Sequence, residues 1–317
     1  MVATRMVARV RRNVLSPAAA LLAFVLASGG CSIEQWALRQ VSGMLTGDSG
    51  IGGTVFTGEE DPQLVAESLP LTMKLHEALL ESDSGNAALW MATGRLFATY
   101  ANAFVQGPAE ELPNTEFVAR GEQLERAKRL YLRGRELILT GFEIEHPGIS
   151  EELLTGDYAL ALEGLDAELA DYVYWTAASW LGAFSTDQFD FELLLTLERP
   201  IAMLELVNEW APDYDHGSVH EILISTYGGL PTELGGSRER AREHFARAVE
   251  LSQGKKTSPY LALATAVAVP EQNREEFQAL LQTALAIELD VDEFRLLNVL
   301  GQRRARWLLD HQEDFFL

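Results

Sequence analysis

Ala241-Arg242-Glu243-His244-Phe245-Ala246-Arg247-Ala248 is the stretch that decides the fold. A small residue is followed by an aromatic four positions on and by another small residue three after that. On a helix these three fall on one stripe. Small residues let a second helix approach closely, and the large one fills the groove between neighbours. The rhythm recurs at Ala127, Tyr131 and Gly134. Phe277, Leu281 and Ala284 keep two of its three positions. Leu204 and Val207 with Pro212 keep the large position and the trailing proline.

The starts at 241 and 277 lie about 36 residues apart, near the 34 of the tetratricopeptide helix-turn-helix repeat. Outward from these units the chain reads as helix after helix. Asp61-Pro62 is a helix start, with Asp as N-cap and Pro at the first helical position. Leu64, Leu71, Leu75 and Leu79 then fall on one face, and Gly85 closes the segment. Asn86 opens the next helix, and a third runs over about 115–140. Further helices are expected near 157–184, 187–197, 200–210, 217–227, 237–252, 258–268, 270–288 and 291–311, with Asp290 and Glu293 at capping-box spacing. No stretch alternates as a strand would. The expectation is an all-α chain of degenerate tetratricopeptide-like helix pairs over 61–317, either a closed bundle or an open superhelix.

Residues 1–30 have the form of a secretory signal. Arg5, Arg9, Arg11 and Arg12 precede an apolar run from Pro17 through Leu26, then small residues ending at Cys31. That run is short for a bilayer span, which takes about 20 residues. Cys31 is the sole cysteine, so it has no disulfide partner, and acylation on it accounts for it best. Residues 31–60 then form the acylated tether, within which 32–46 is a short amphipathic helix. Ser32 rather than Asp follows the cysteine, which leans toward the outer membrane. The export route, general secretory or twin-arginine, is open. The formal charge of −22 argues against nucleic acid and against anionic lipid surfaces.

Little in the chain points to chemistry. His216 and His220 have one-turn spacing, but Gly217 and Ser218 stand where a zincin carries its glutamate, and no third histidine follows. The stretch reads as a helix start after Pro212, with no metal, no cofactor and no catalytic residue to nominate. The remaining signal is aromatic: Trp90, Phe97, Tyr100, Phe104, Tyr131, Tyr172, Trp175 and Trp180 are the candidate ligand or partner surface. Core packing is the alternative for each of them.

At this point the motifs resemble a family. Asp61-Pro62-Gln63-Leu64-Val65 with Lys74-Leu75-His76-Glu77-Ala78-Leu79-Leu80 is similar to the opening of the TatT family, lipoproteins associated with tripartite ATP-independent periplasmic (TRAP) transporters. Tyr100-Ala101-Asn102-Ala103-Phe104-Val105-Gln106 and Arg126 through Arg135 resemble its central helices, and Leu230-Pro231 to Gly235-Gly236 its turn. Trp307-Leu308-Leu309 and Glu313 through Phe316 resemble its C-terminus. The resemblance implies a tetratricopeptide-like fold, a periplasmic location, a TRAP solute-binding protein as partner, a small hydrophobic ligand and a homo-oligomer. It carries over no catalytic residue, so the chain is expected not to be an enzyme. A scaffold lipoprotein for envelope assembly is the competing function.

Overall fold

The computed structural model describes residues 53–317. The expected signal segment, Cys31 and the expected helix over 32–46 lie outside the described residues. Among the described residues there is no strand, and the chain is an all-α array. No described helix is long and apolar enough to cross a membrane.

Helix α1 (Pro62–Ser82) begins as its sequence dictates. The Asp61 carboxylate accepts the Gln63 and Leu64 N–H groups, at 3.0 and 3.4 Å, and Pro62 occupies the first helical position. Its buried face differs from the expected one. Leu64, Leu71 and Leu75 point to solvent, while Val65, Leu69, Met73, His76 and Leu80 are buried. Two apolar stripes run along this helix, and the neighbours it has cover only the second.

Asn86 caps α2 (Ala87–Ala101), accepting from the Leu89 N–H at 3.0 Å. A π turn, Asn102–Gln106, continues it to Glu110. The 29-residue α3 (Phe117–Glu145) ends at His146. The single helix expected over 157–184 is broken. Tyr158–Glu163, capped by Asp157, stops at Gly164, and Asp166 accepts the Glu168 N–H to start a new turn leading into α4 (Ala170–Thr186).

Then follow α5 (Glu198–Trp210), α6 (Ser218–Gly229), α7 (Arg238–Leu251), α8 (Ser258–Leu263, prolonged by a π turn over Ala264–Ala268), α9 (Arg274–Ala286) and α10 (Arg295–Asp310). The expected capping box at Asp290 and Glu293 does not form. Phe294 is buried and holds residues 291–294 in a turn, so α10 starts only at Arg295.

Consecutive helices pack side by side, and the even-numbered helices from α2 to α10 also touch one another in succession, forming an inner layer. Ala127, Ala241, Ala248, Phe277, Leu281 and Ala284 of the repeat stripe are all fully buried. Helices α2 and α3 meet backbone to backbone. A Cβ on Gly94 would stand 2.6 Å from the Gly134 carbonyl oxygen, and one on Gly134 would stand 2.9 Å from that of Gly94. Only glycine on both sides permits this spacing.

The last helix returns to the first. Leu296 of α10 buries itself against Val65 and Leu69 of α1, with Phe56, Leu96, Tyr100, Phe104 and Leu300 packed around them. Each aliphatic side chain fully buried in such a seam contributes about 1.5 to 3 kcal/mol. Arg295 donates to the Gly58 carbonyl at 3.1 Å, and Arg304 pairs with Glu110 at 3.0 Å. The array is thus closed rather than an open superhelix.

Candidate functional site

The N-terminal ends of α4, α6 and α8, with the turn preceding α10, gather at one place on the inner layer. The connection from α5 to α6 shapes this region. Asp215, His216 and Gly217 are successive residues in the left-handed region, with φ of 43°, 54° and 93°. For the two L side chains that conformation costs about 1 to 2 kcal/mol each. The connection is held by Lys256, which is only 5% exposed. Its ammonium donates to the Asp215 carbonyl and to the Ser218 hydroxyl, both at 3.1 Å, and pairs with Glu221 at 2.9 Å. Ser218 in turn donates to the Asp215 carboxylate at 2.5 Å. At Gly217 a Cβ would come within 3.2 Å of the Ala248 backbone, so the kink also seats against α7.

The kink directs two side chains. His216 reaches Glu293 at 3.2 Å and meets the Phe294 ring edge-on at 5.3 Å. Tyr214 donates its hydroxyl to Asp171 at the start of α4. The Tyr214 ring lies 4.7 Å from that of Tyr174, which meets Trp175 edge-on at 5.3 Å. The guanidinium of the exposed Arg95, on α2, stacks 4.9 Å over Trp175. Burial, reinforced by Asp215 for Tyr174 and by Asp171 for Tyr214, pushes both tyrosine hydroxyls well above their usual range. They are therefore neutral hydrogen-bonding groups on an apolar wall with a cation at its edge. Tyr174 is buried and Trp175 and Tyr214 are half-buried, so a small apolar or aromatic molecule would meet the Trp175 and Tyr214 rings beside Arg95.

The eight aromatic residues singled out from the sequence divide among several settings. Trp175 stands in the wall just described. Tyr100 and Phe104, 5.9 Å apart, belong to the closing seam between α1 and α10. Phe97, Tyr131 and Trp180 are buried in the body of the array. Arg133 covers Phe97, Arg135 covers Trp180, and the Tyr131 hydroxyl donates to Gln106 at 2.7 Å. Tyr172 stacks on Phe142 at 5.1 Å, and its hydroxyl is pushed up to about 12 by burial and then by Glu145 and Asp171. Trp90 donates its indole N–H to the Ser84 carbonyl at 2.8 Å.

Sequence reasoning did not single out Arg95, Asp171, Tyr214, Lys256 or Phe294. One signal was available: the chain has four lysines, and two of them are adjacent at 255 and 256. A strongly acidic chain that places a lysine pair between two helices invites the question of what it holds.

His216 and His220 are not brought together. His220 faces His244 of α7, Nδ1 to Nδ1 at 2.7 Å, with its Nε2 3.2 Å from the Pro212 carbonyl. Among the described residues no cluster of three or more His, Cys, Asp or Glu side chains is placed to hold a metal ion. Two surface depressions lie away from the aromatic wall. One of about 460 Å³ is bordered by Ser84, Leu139 and Leu154, and one of about 230 Å³ by Gly121, Leu124, Lys128 and Asp187.

Helix pairs closed into an array, with an aromatic wall on the inner layer, define an all-α helix-pair protein. The family model described as TRAP transporter T-component matches residues 58–316. The chain is also similar to an uncharacterised protein of Treponema pallidum (strain Nichols), 34% identical over 319 residues, covering 95% of this chain and 99% of that one. The chain belongs to the TRAP transporter T-component family.

Proposed function

We propose that this T-component docks a TRAP solute-binding protein and holds a small hydrophobic ligand against the wall of Tyr174, Trp175 and Tyr214. The same reading has it exported, acylated on Cys31, anchored outside the cytoplasmic membrane with the outer membrane favoured, and assembled as a homo-oligomer. It acts by binding, not by catalysis. The observation that carries it is the wall itself: three aromatic residues with an exposed Arg95 at the edge, built on a strained connection that a buried lysine braces. Gln253 and Gln272 are each a lone non-glycine residue in the left-handed region, whereas Asp215 and His216 are consecutive ones beside the aromatic wall, and strain kept at adjacent residues supports a site where geometry matters beyond stability. Family membership supplies the transporter context.

The test is native mass spectrometry of the chain lacking residues 1–30 and carrying Cys31→Ser, purified gently and mixed with TRAP solute-binding proteins from the same genome. A specific complex, or a retained apolar mass lost in Trp175→Ala, is the expected result, and the spectrum gives the oligomer count. A protein that is empty and ignores every such partner would overturn the reading and favour an envelope scaffold.

A further inference from the structure

One place on the surface, past the C-terminal end of α4 whereas the aromatic wall stands at its N-terminal end, is built as an apolar projection. Phe189 is 96% exposed at the tip of the turn after α4, and Phe191 and Leu195 stand exposed one helical turn apart on the short helix that follows. A solvent-facing aromatic at the tip of a turn ordinarily sits on mobile backbone. Here the backbone is fastened. The Asp187 carboxylate accepts the Phe189 N–H at 3.2 Å, and the Asp190 carboxylate accepts the Glu192 and Leu193 N–H groups at 3.0 and 3.1 Å. Lys128 of α3 then binds both carboxylates, Asp187 at 3.1 Å and Asp190 as a closer ion pair. The lysine ammonium therefore clasps the two residues that straddle Phe189.

The patch continues onto α3. Gly121, Leu124 and Lys128 line the shallow depression with Thr186 and Asp187. By helical periodicity Phe117 lies on that same stripe, one turn before Gly121, and it is 72% exposed. Phe117 thus stands exposed one turn beyond the depression on α3 and Phe189 two residues beyond it past Asp187, so the pre-ordered turn does not present its aromatic ring alone.

The charge around it selects the occupant. Glu122 and Glu192 are exposed at its border, and with Glu125, Asp187 and Asp190 the carboxylates outnumber the cations Lys128 and Arg129 that they engage. An acidic rim repels the anionic surface of a bilayer and a second copy of the same patch. It suits an apolar pocket bordered by arginine or lysine.

We infer that the turn carrying Phe189, braced by Lys128, is the surface on which this T-component docks its solute-binding protein, Phe189 entering an apolar pocket with a basic rim. This rests on the proposed function and adds the place and chemistry of contact. Pre-ordering is what makes such a residue effective, since little conformational freedom is lost on binding.

The test uses Phe189→Asp, Lys128→Met and, as control, Leu71→Asp at another exposed leucine on α1. Affinity for a TRAP solute-binding protein that binds the wild-type chain is measured by calorimetry. Phe189→Asp is expected to weaken binding about thirtyfold or more, and Lys128→Met to weaken it about tenfold although Phe189 is still present. Leu71→Asp is expected to leave it unchanged, with helical circular dichroism preserved in all three. Full affinity in Phe189→Asp overturns this surface while leaving the proposed function standing. A wild-type chain that binds no such protein overturns both. Phe189-dependent binding to phosphatidylethanolamine–phosphatidylglycerol vesicles, or loss of a homo-oligomer in Phe189→Asp, would assign the patch instead to membrane or to self-association.

Discussion

Mild acidification should loosen the seam between α6 and α7, and the size of the effect follows from one histidine pair. His220 and His244 face each other Nδ1 to Nδ1 at 2.7 Å, and the other His220 nitrogen donates to the Pro212 carbonyl. His220 Nδ1 is then the acceptor and His244 Nδ1–H the donor, so His220 cannot take a second proton without breaking the contact, while a proton on His244 must go to Nε2, on a half-buried ring beside His220. The His244 ring also stacks on Tyr227 at 5.7 Å, whose hydroxyl donates to Glu205, and Arg240 pairs with that same glutamate. Burial first, then His220 and Arg240, hold His244 at about 4, against 6.5 in the unfolded chain, with Glu205 opposing. A depressed histidine stabilises the fold fully above the unfolded value. That contribution is lost as pH falls from 6.5 toward 4, because over this range the unfolded chain binds the proton and the folded one does not. Between pH 7 and pH 5 linkage gives a loss of about 2 kcal/mol, and screening at a half-buried ring trims this to roughly 1 to 2 kcal/mol. For a helical body of this size that is a fall in Tm of about 2 to 4 °C. The assay is thermal unfolding at pH 7, 6 and 5 for the wild type and for His244→Asn, whose amide keeps a donor at the Nδ1 position. His76 is also held low by burial, but it cancels in the comparison. Asp190 and Glu276, held below the usual carboxylate range, act only at more acidic pH. Parallel pH profiles for the two proteins between pH 7 and 5 would refute the reasoning.

Substituting Gly94 by alanine should destabilise the chain by about 2 kcal/mol, since overpacking against the Gly134 backbone outweighs the gain of about 1 kcal/mol in helix propensity. Gly121→Ala, where a Cβ meets nothing within 4 Å, should stabilise it by about 0.5 to 1 kcal/mol; urea unfolding followed by circular dichroism checks both signs. Lys256→Met should cost about 3 to 5 kcal/mol by stranding Glu221, and Lys256→Met combined with Glu221→Met should recover most of it, a double-mutant cycle read by the same unfolding experiment. Asp61→Ala should cost about 1 kcal/mol through the lost N-cap and raise hydrogen exchange in the first turn of α1.

The helices were legible because their signals are local. Asp61-Pro62 and Asn86 act within one turn, and the small–large–small rhythm reports the close approach of successive helices, as the buried Ala127, Ala241 and Ala284 show. The outward stripe of α1 was not legible, because Leu64 and Val65 both lie on helical apolar stripes and the packing of α2 and of the distant α10 decides between them. The aromatic candidates separated poorly for a similar reason. Trp175 and Trp180 are one and a half turns apart on α4, yet the first meets Arg95 of α2 and the second is sealed under Arg135 of α3. The site connection was hidden for a different reason. Left-handed backbone at Asp215 and His216 contradicts their intrinsic preference, and the group that holds it, Lys256, lies 41 residues downstream of Asp215, across two helices.

The meeting of α10 with α1 changes how the molecule can fail and how it can vary. An open row of helix pairs frays from its ends and tolerates the gain or loss of a unit, because each unit answers only to its neighbours. A ring has no terminal unit, so every helix pair is a keystone: removing one frees two interfaces instead of one. Unfolding should then be a single concerted event, and the number of helix pairs is fixed by the angle each must turn for Leu296 to arrive at Val65 and Leu69. Variation in such a chain is channelled into its connections, the elements that build both the Asp215 kink and the Phe189 turn.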